Sequence, residues 1–430
     1  MRFISTRGHT PATDIDAALV AGLAPDGGLY VPERIPVLDS LTRGETLADT
    51  AIAALAPYFD ESSLRDALAH LCAQAYSFDA PLRPLKHDGD HLLELFHGPT
   101  AAFKDYAARF LAGALERLRN VGAPPTTIIV ATSGDTGAAV ASAFHRRAGF
   151  NVVILYPEGR VSPRQAHGLE CWGGNVRTFR VQGTFDDCQR MAKQALSDEA
   201  LRREVPLSSA NSISLGRLLP QVAYYAHAAL GFFEREGAPL NFIVPTGNLG
   251  NACAAFVARR MGLPVGELIL ASNANDVLPR YFAGQPYSPQ PTIATLANAM
   301  DVGAPSNFER LRHWHESDDA LRGALQSFAV DDATIRETIR SAPARHGVVP
   351  CPHTATALHV LEQLRASGDT RPWAAVATAH PAKFESIVEP LVGHVVEPPP
   401  ALARTLAWPA HAESLPAHYE ALRAALHAIA

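Results

Sequence analysis

T-I-I-V-A-T-S-G-D-T-G-A-A-V-A-S-A-F-H-R-R, residues 127–147, decides the fold class of this chain. Five residues rich in β-branched side chains (127–131) read as a strand. Six small residues (132–137) read as a loop, and the remainder follows a helical pattern. The plan returns twice. N-F-I-V-P (241–245) leads through T-G-N-L-G-N (246–251) into A-C-A-A-F-V-A-R-R-M, and W-A-A-V-A (373–377) leads through T-A-H-P (378–381) into A-K-F-E-S-I-V. Unbroken apolar strands alternating with helices predict an α/β fold with a parallel sheet covered on both faces. Ligands in such folds sit at the carboxyl ends of the strands, where these three loops lie.

Working outward, N-V-V-I-L-Y (151–156), V-R-T-F-R-V (176–181) and L-I-L-A-S (268–272) are further strand candidates. Residues Leu47 to Ala75 predict a helical stretch, P-L-R-P-L-K-H-D-G-D-H (81–91) a connector, and 414–429 a final helix after the proline-rich Glu397–Pro400. Three units are expected: an N-terminal extension over 1–85, a catalytic-lysine segment with a smaller α/β domain over 86–240, and a larger α/β domain over 241–430. The span 157–238 suits that smaller unit.

The 430 residues are 47% hydrophobic and 19% charged, an ordinary globular balance. The net charge is −6 and no basic run exceeds two residues, which argues against a nucleic-acid partner. Five scattered cysteines without a C-x-x-C spacing predict neither a zinc site nor a disulfide framework, and suit a reducing cytoplasm. The N-terminus lacks an apolar signal core, and no apolar run is long enough to span a membrane.

The chemistry begins at F-H-G-P-T-A-A-F-K-D (96–105), which sets Lys104 after a Gly-Pro turn and at the head of an apolar helical stretch. A surface lysine needs no such setting; an amine that must react as a nucleophile has to be held and partly desolvated. Gly247-Asn-Leu-Gly-Asn251 opens a helix after a strand, so its backbone N–H groups suit a phosphate, or the loop is a bare tight turn. Ser133-Gly-Asp-Thr-Gly137 suits a carboxylate ligand, or serves only as an N-cap through Ser133 or Asp135. Arg217, at the end of N-S-I-S-L-G-R, offers a planar fork for phosphate, or an ion pair to an acid. Thr378 offers a hydroxyl that could face a ring nitrogen, and His380 is as open to packing as to chemistry.

Together these stretches resemble the threonine synthase family, pyridoxal-phosphate enzymes of the tryptophan-synthase-β superfamily, known as fold type II. The matching stretches include A-P-D-G-G-L-Y-V-P-E (24–33), H-G-P-T-A-A-F-K-D (97–105), A-T-S-G-D-T-G (131–137), L-Y-P-E-G-R-V-S-P-R-Q (155–165) and G-T-F-D-D-C-Q (183–189). S-A-N-S-I (209–213), P-T-G-N-L-G-N (245–251), N-A-N-D-V (273–277), A-M-D-V-G-A-P-S-N-F-E-R (299–310) and T-A-H-P-A-K-F (378–384) continue the series. The length is similar to that of the bacterial-type branch. The resemblance implies twisted parallel and mixed sheets with helices on both faces, a large cofactor domain, a smaller mobile one and an N-terminal extension.

It also implies pyridoxal 5'-phosphate bound through Lys104, with Phe103 near the ring and Gly247, Asn248, Leu249, Gly250 and Asn251 around the phosphate. Thr378 would meet the pyridine nitrogen, and Asp135 the ring hydroxyl, where related enzymes often carry Asn. Ser133 and Thr136 would flank the substrate carboxylate; Asn211, Ser212 and Arg217 would hold the substrate phosphate. The implied reaction takes O-phospho-L-homoserine and water to L-threonine and phosphate, in a monomer or homodimer. Two other readings stay open: a phospho-lyase giving 2-oxobutyrate, and a silent phosphate-binding relative.

Overall fold

The computed structural model describes residues 1–38 and 40–429. Two parallel-strand sheets organise it. The six-stranded sheet runs Gln326–Ala329, Val265–Ser272, Leu240–Pro245, Trp373–Ala377, Asp90–Glu94, Leu82–Pro84, parallel except for the last antiparallel pair. The five-stranded sheet runs Glu413–Pro416, Val176–Gln182, Phe150–Pro157, Thr126–Ala131, Leu207–Ser209, and every pairing in it is parallel. Phe3–Ser5 and Tyr30–Pro32 form a separate antiparallel ribbon.

The central strands are buried along their whole length, as their apolar runs require: Leu240–Pro245 and Trp373–Ala377 have no exposed position. Full burial of each large apolar side chain there stabilises the fold by about 1.5–3 kcal/mol. Helix Lys104–Leu118 is buried nearly all round, so it serves as a central element rather than a surface one.

The three strand-loop-helix units form as expected, but three expectations change. Residues 81–91 are a hairpin, with Leu82–Pro84 and Asp90–Glu94 paired antiparallel. Turn residues at 86–89 mark its bend rather than a linker. The stretch from Leu47 to Ala75 is broken into Leu47–Phe59 and Leu68–Ala75, because Asp60-Glu-Ser-Ser63 turns the chain and Ser62 hydrogen-bonds the Asp16 carboxylate. The final helix spans Tyr419–His427, and the residues before it form strand Glu413–Pro416. Only Leu415 of that strand is buried, so its sequence carries no apolar run to announce it. Segment 86–240 supplies strands to both large sheets, Asp90–Glu94 to the six-stranded one and the strands between Thr126 and Ser209 to the five-stranded one.

Candidate active site

A cavity of about 360 Å³ opens at the carboxyl ends of strands from both large sheets. All fourteen residues singled out from the sequence line it: Phe103, Lys104, Ser133, Asp135, Thr136, Asn211, Ser212, Arg217, Gly247, Asn248, Leu249, Gly250, Asn251 and Thr378.

Lys104 is the first residue of its helix. The loop before it lies along the end of strand Trp373–Ala377: the Phe103 N–H donates to the Thr378 carbonyl at 2.9 Å and the His380 N–H to the Ala101 carbonyl at 3.0 Å. This lacing sets Lys104 beside Thr378. Buried Asp105 fixes the loop from behind, accepting from the Thr100 N–H at 2.8 Å and its hydroxyl at 2.6 Å. A Cβ at Gly98 would stand 2.5 Å from that carboxylate, which explains the glycine before Pro99. The Lys104 ammonium nitrogen lies 4.8 Å from the Phe103 ring centroid. Burial, opposed by Asp135 and assisted by the charges of Lys383 and Arg217, brings its pKa down to about 8.

The 246–251 loop is a close-approach cradle. A Cβ at Gly247 would lie 2.7 Å from Met300 Cα, so only glycine lets the two backbones meet. Leu249 takes the left-handed conformation at φ 64°, costly for a side-chain-bearing residue, and helix Gly250–Arg260 begins directly after it. The Asn251 side-chain carbonyl accepts from Tyr224 at 2.7 Å and from Tyr225 at 2.9 Å, while its buried NH₂ has no acceptor among the described residues. The Asn248 side chain is committed inside the protein: its NH₂ donates to Ser212 and its carbonyl accepts from the Ser306 N–H. It braces the cradle against 211–217, leaving backbone N–H groups and Asn251 as the free donors.

Loop 132–137 resolves the capping question. The Thr132 hydroxyl accepts from the Gly134 and Gly137 N–H groups, each at 3.0 Å, and helix Asp135–Phe144 has no side-chain cap at Gly134. Neither Ser133 nor Asp135 serves as the cap. Asp135 instead forms an ion pair at 2.7 Å with Lys383, a residue the sequence reading gave no role. Burial pushes the Asp135 carboxyl up, but the charges of Lys383 and then Lys104 outweigh it and hold it well below the usual carboxylate range.

Arg217 sits in the short helix Leu215–Leu218, is 3% exposed and donates to the Ala210 carbonyl at 2.6 Å. Its Nε has no partner, and among the described residues no carboxylate lies within ion-pair distance, which removes the ion-pair reading. Burial lowers its pKa to about 10. A buried guanidinium without an acid has the chemistry to bind an anion.

His353 was also missed. Its Nε2 accepts from the Ala299 N–H at 3.1 Å, so the ring is neutral, and burial lowers its pKa to about 4. The sequence signal was Cys351-Pro-His-Thr354 at the start of helix Pro352–Ala366. His380 does not line the cavity; it caps the turn Pro381–Phe384, accepting from the Ala382 N–H at 3.2 Å. Lys383 was hidden in T-A-H-P-A-K-F, since only the fold shows which of several lysines is buried.

Comparison with known proteins gives matches over nearly the whole chain. Residues 85–382 match the model of pyridoxal-phosphate dependent enzymes, residues 2–76 the threonine synthase N terminus, and 354–426 the threonine synthase C-terminal region. Threonine synthase of Serratia marcescens is 37% identical over 98% of both chains. Among solved structures, threonine synthase from Escherichia coli superposes with a TM-score of 0.91 at 36% identity over 99% of both chains. A threonine synthase from Brucella melitensis, solved with pyridoxal phosphate bound, superposes with a TM-score of 0.90 at 33% identity, covering 100% of this chain and 99% of that one.

Proposed function

The chain belongs to the threonine synthases, fold type II lyases that use pyridoxal 5'-phosphate, and on that premise we propose that it takes O-phospho-L-homoserine and water to L-threonine and phosphate. One observation carries the choice of substrate. The buried, acid-free Arg217 lies on the same cavity as a separate N–H cradle at 247–251, so the cavity offers two anion sites. One suits the cofactor phosphate, and the other suits a phosphate on the amino acid.

The residues present fit the cofactor. Asn251 offers an unpaired buried NH₂, Gly247 admits a close approach, and Thr378 offers a hydroxyl where a carboxylate would protonate a pyridine nitrogen. Bound there, pyridoxal phosphate supplies an aldehyde for the substrate amine and an electron sink for charge developing at carbon.

The chain's own groups do the rest. Lys104 is the amine that first holds the cofactor. Its nitrogen would then serve as the base for the substrate α-proton, for which a pKa of about 8 is well placed near neutrality. Phe103 would stand near the ring and Asp135 near the ring hydroxyl, while the Ser133 and Thr136 hydroxyls and the N–H groups at that helix start would bind the substrate carboxylate. Arg217, with Asn211 and Ser212, balances the charge of phosphate as it leaves the γ-carbon. Water is admitted for addition at the β-carbon after that departure. We place the smaller, mobile unit on the five-stranded sheet, with residues 1–85 as an extension and the six-stranded sheet as the cofactor body.

All fourteen residues come from one chain, so a monomer or homodimer suffices, and sedimentation velocity showing a larger obligate assembly would contradict that. The five buried free thiols suit a reducing cytoplasm, which localisation of a tagged chain would check. The deciding assay supplies O-phospho-L-homoserine and identifies products by chromatography. Threonine is expected, and Lys104→Ala should lose at least about 1,000-fold in rate. Release of 2-oxobutyrate and ammonia instead would assign the phospho-lyase reaction, and an undiminished Lys104→Ala would remove the catalytic role.

A further inference from the structure

Lys383 is 3% exposed, as buried as the site it borders. Its ammonium lies 2.7 Å from the Asp135 carboxylate and donates to the Thr100 carbonyl at 2.8 Å. It thereby joins three segments: the loop leading into Lys104, the helix start after strand Thr126–Ala131, and the turn after strand Trp373–Ala377. Long buried cations are expensive unless paired, so a lysine at this place calls for an explanation beyond packing.

The charges facing Lys104 supply it. Two carboxylates bear on its amine, Asp135 and Asp105. Asp105 is engaged by the Thr100 N–H and hydroxyl. Asp135, on the cavity wall, is the stronger influence holding the Lys104 proton in place. Lys383 and Arg217 act in the opposite direction, and the neutral His353 adds no counter-charge. Were Asp135 without Lys383, its natural partner would be Lys104. A Lys104–Asp135 ion pair would keep the amine protonated and unreactive.

We propose that Lys383 is a positioning residue: by pairing Asp135 it denies Lys104 a counter-ion, and so leaves the Lys104 amine able to be neutral and nucleophilic. The inference deepens the reading of Lys104 as the reacting lysine and rests on it. Asp135 and Lys383 together present no net charge to the cavity.

The test uses the cofactor-free full chain. Trace acetylation with acetic anhydride across pH, followed by peptide mass spectrometry, reads the midpoint at which Lys104 becomes reactive. Lys383→Met should raise that midpoint by about one pH unit, a tenfold loss of free amine at neutral pH. Asp135→Asn should lower it by a similar amount, and the double variant should return close to wild type. An unmoved midpoint in Lys383→Met overturns the inference. Should that variant not fold, Asp135→Asn decides alone, since an unmoved midpoint there is equally fatal. A separate arm keeps the underlying reading distinct. Borohydride reduction of the chain loaded with pyridoxal phosphate should tag Lys104. A tag at Lys104 with unmoved midpoints overturns the inference only, and a tag on another lysine overturns the reading itself.

Discussion

Asp135 and Asp301 are both buried carboxylates lining the same cavity, yet they are driven in opposite directions. Asp135 is held far below the usual carboxylate range, with Lys383 at 2.7 Å. Asp301 is pushed up to about 7, because burial dominates and its donors are neutral. Those donors are the Asn273 NH₂ at 2.7 Å, the Thr295 hydroxyl at 2.7 Å, the Thr295 N–H at 3.0 Å and, more weakly, the Asn275 NH₂ at 3.4 Å. Depth alone therefore does not set the charge state in this site. One full positive charge does what four neutral hydrogen bonds cannot.

Removing that charge is the most forceful way to break the contrast. Lys383→Met leaves Asp135 buried with its main partner gone, and should destabilise the chain by about 3–5 kcal/mol in urea unfolding at neutral pH. Adding Asp135→Asn should recover most of the loss, since replacing both members of a buried pair is often near neutral. A loss below about 1 kcal/mol in the single variant would show that Lys104 or water takes over the pairing.

Asp301 gives the second test, through pH. Its folded pKa lies above its unfolded one, so its contribution is present at low pH and is lost as pH rises from about 4 to about 7. Asp301→Asn cannot titrate, so the variant should gain on wild type by about 3 kcal/mol across that window, read as a difference of unfolding free energies at the two ends. A pH-independent difference would mean that Asp301 stays ionised throughout. The gentlest probe is Thr295→Val, which deletes one donor to Asp301. A destabilisation of about 1 kcal/mol is expected above pH 7, and a smaller one at pH 5, where the carboxyl keeps its proton. Equal losses at both pH values would count against the assignment.

The same contrast shows what could be read from the chain before its structure. Lys104, the 247–251 loop, Arg217 and Thr378 were legible because each sits in a short segment whose backbone demands are local: a turn, a helix start, a strand end. The Asp135–Lys383 pair was not. Its members lie in different strand-loop-helix units, and only the placement of both sheets brings them together. Asp301 was quoted within a matching segment but given no role, because its character comes from Asn273 and Thr295, which the sequence does not connect to it. Asn248 needed the fold as well: on the cavity wall, its side chain is tied to Ser212 and to the Ser306 N–H, contacts that the sequence of its loop does not reveal. Strand Glu413–Pro416 escaped because an edge strand with one buried residue has no periodicity to detect.

That late strand also bears on how the chain is made. Its partner, Val176–Gln182, emerges roughly 230 residues earlier, a delay of about 10–50 s at ordinary rates of synthesis. Until then the five-stranded sheet ends in an open edge beside other nascent chains. Val176, Thr178, Phe179 and Val181 of that strand are buried in the finished fold, whereas Arg177 and Arg180 stay partly exposed along it. Arginines on an unpaired edge discourage pairing with the wrong strand. Arg177 then meets Glu413 when the right one arrives. One side chain thus guards the edge during synthesis and latches it at completion.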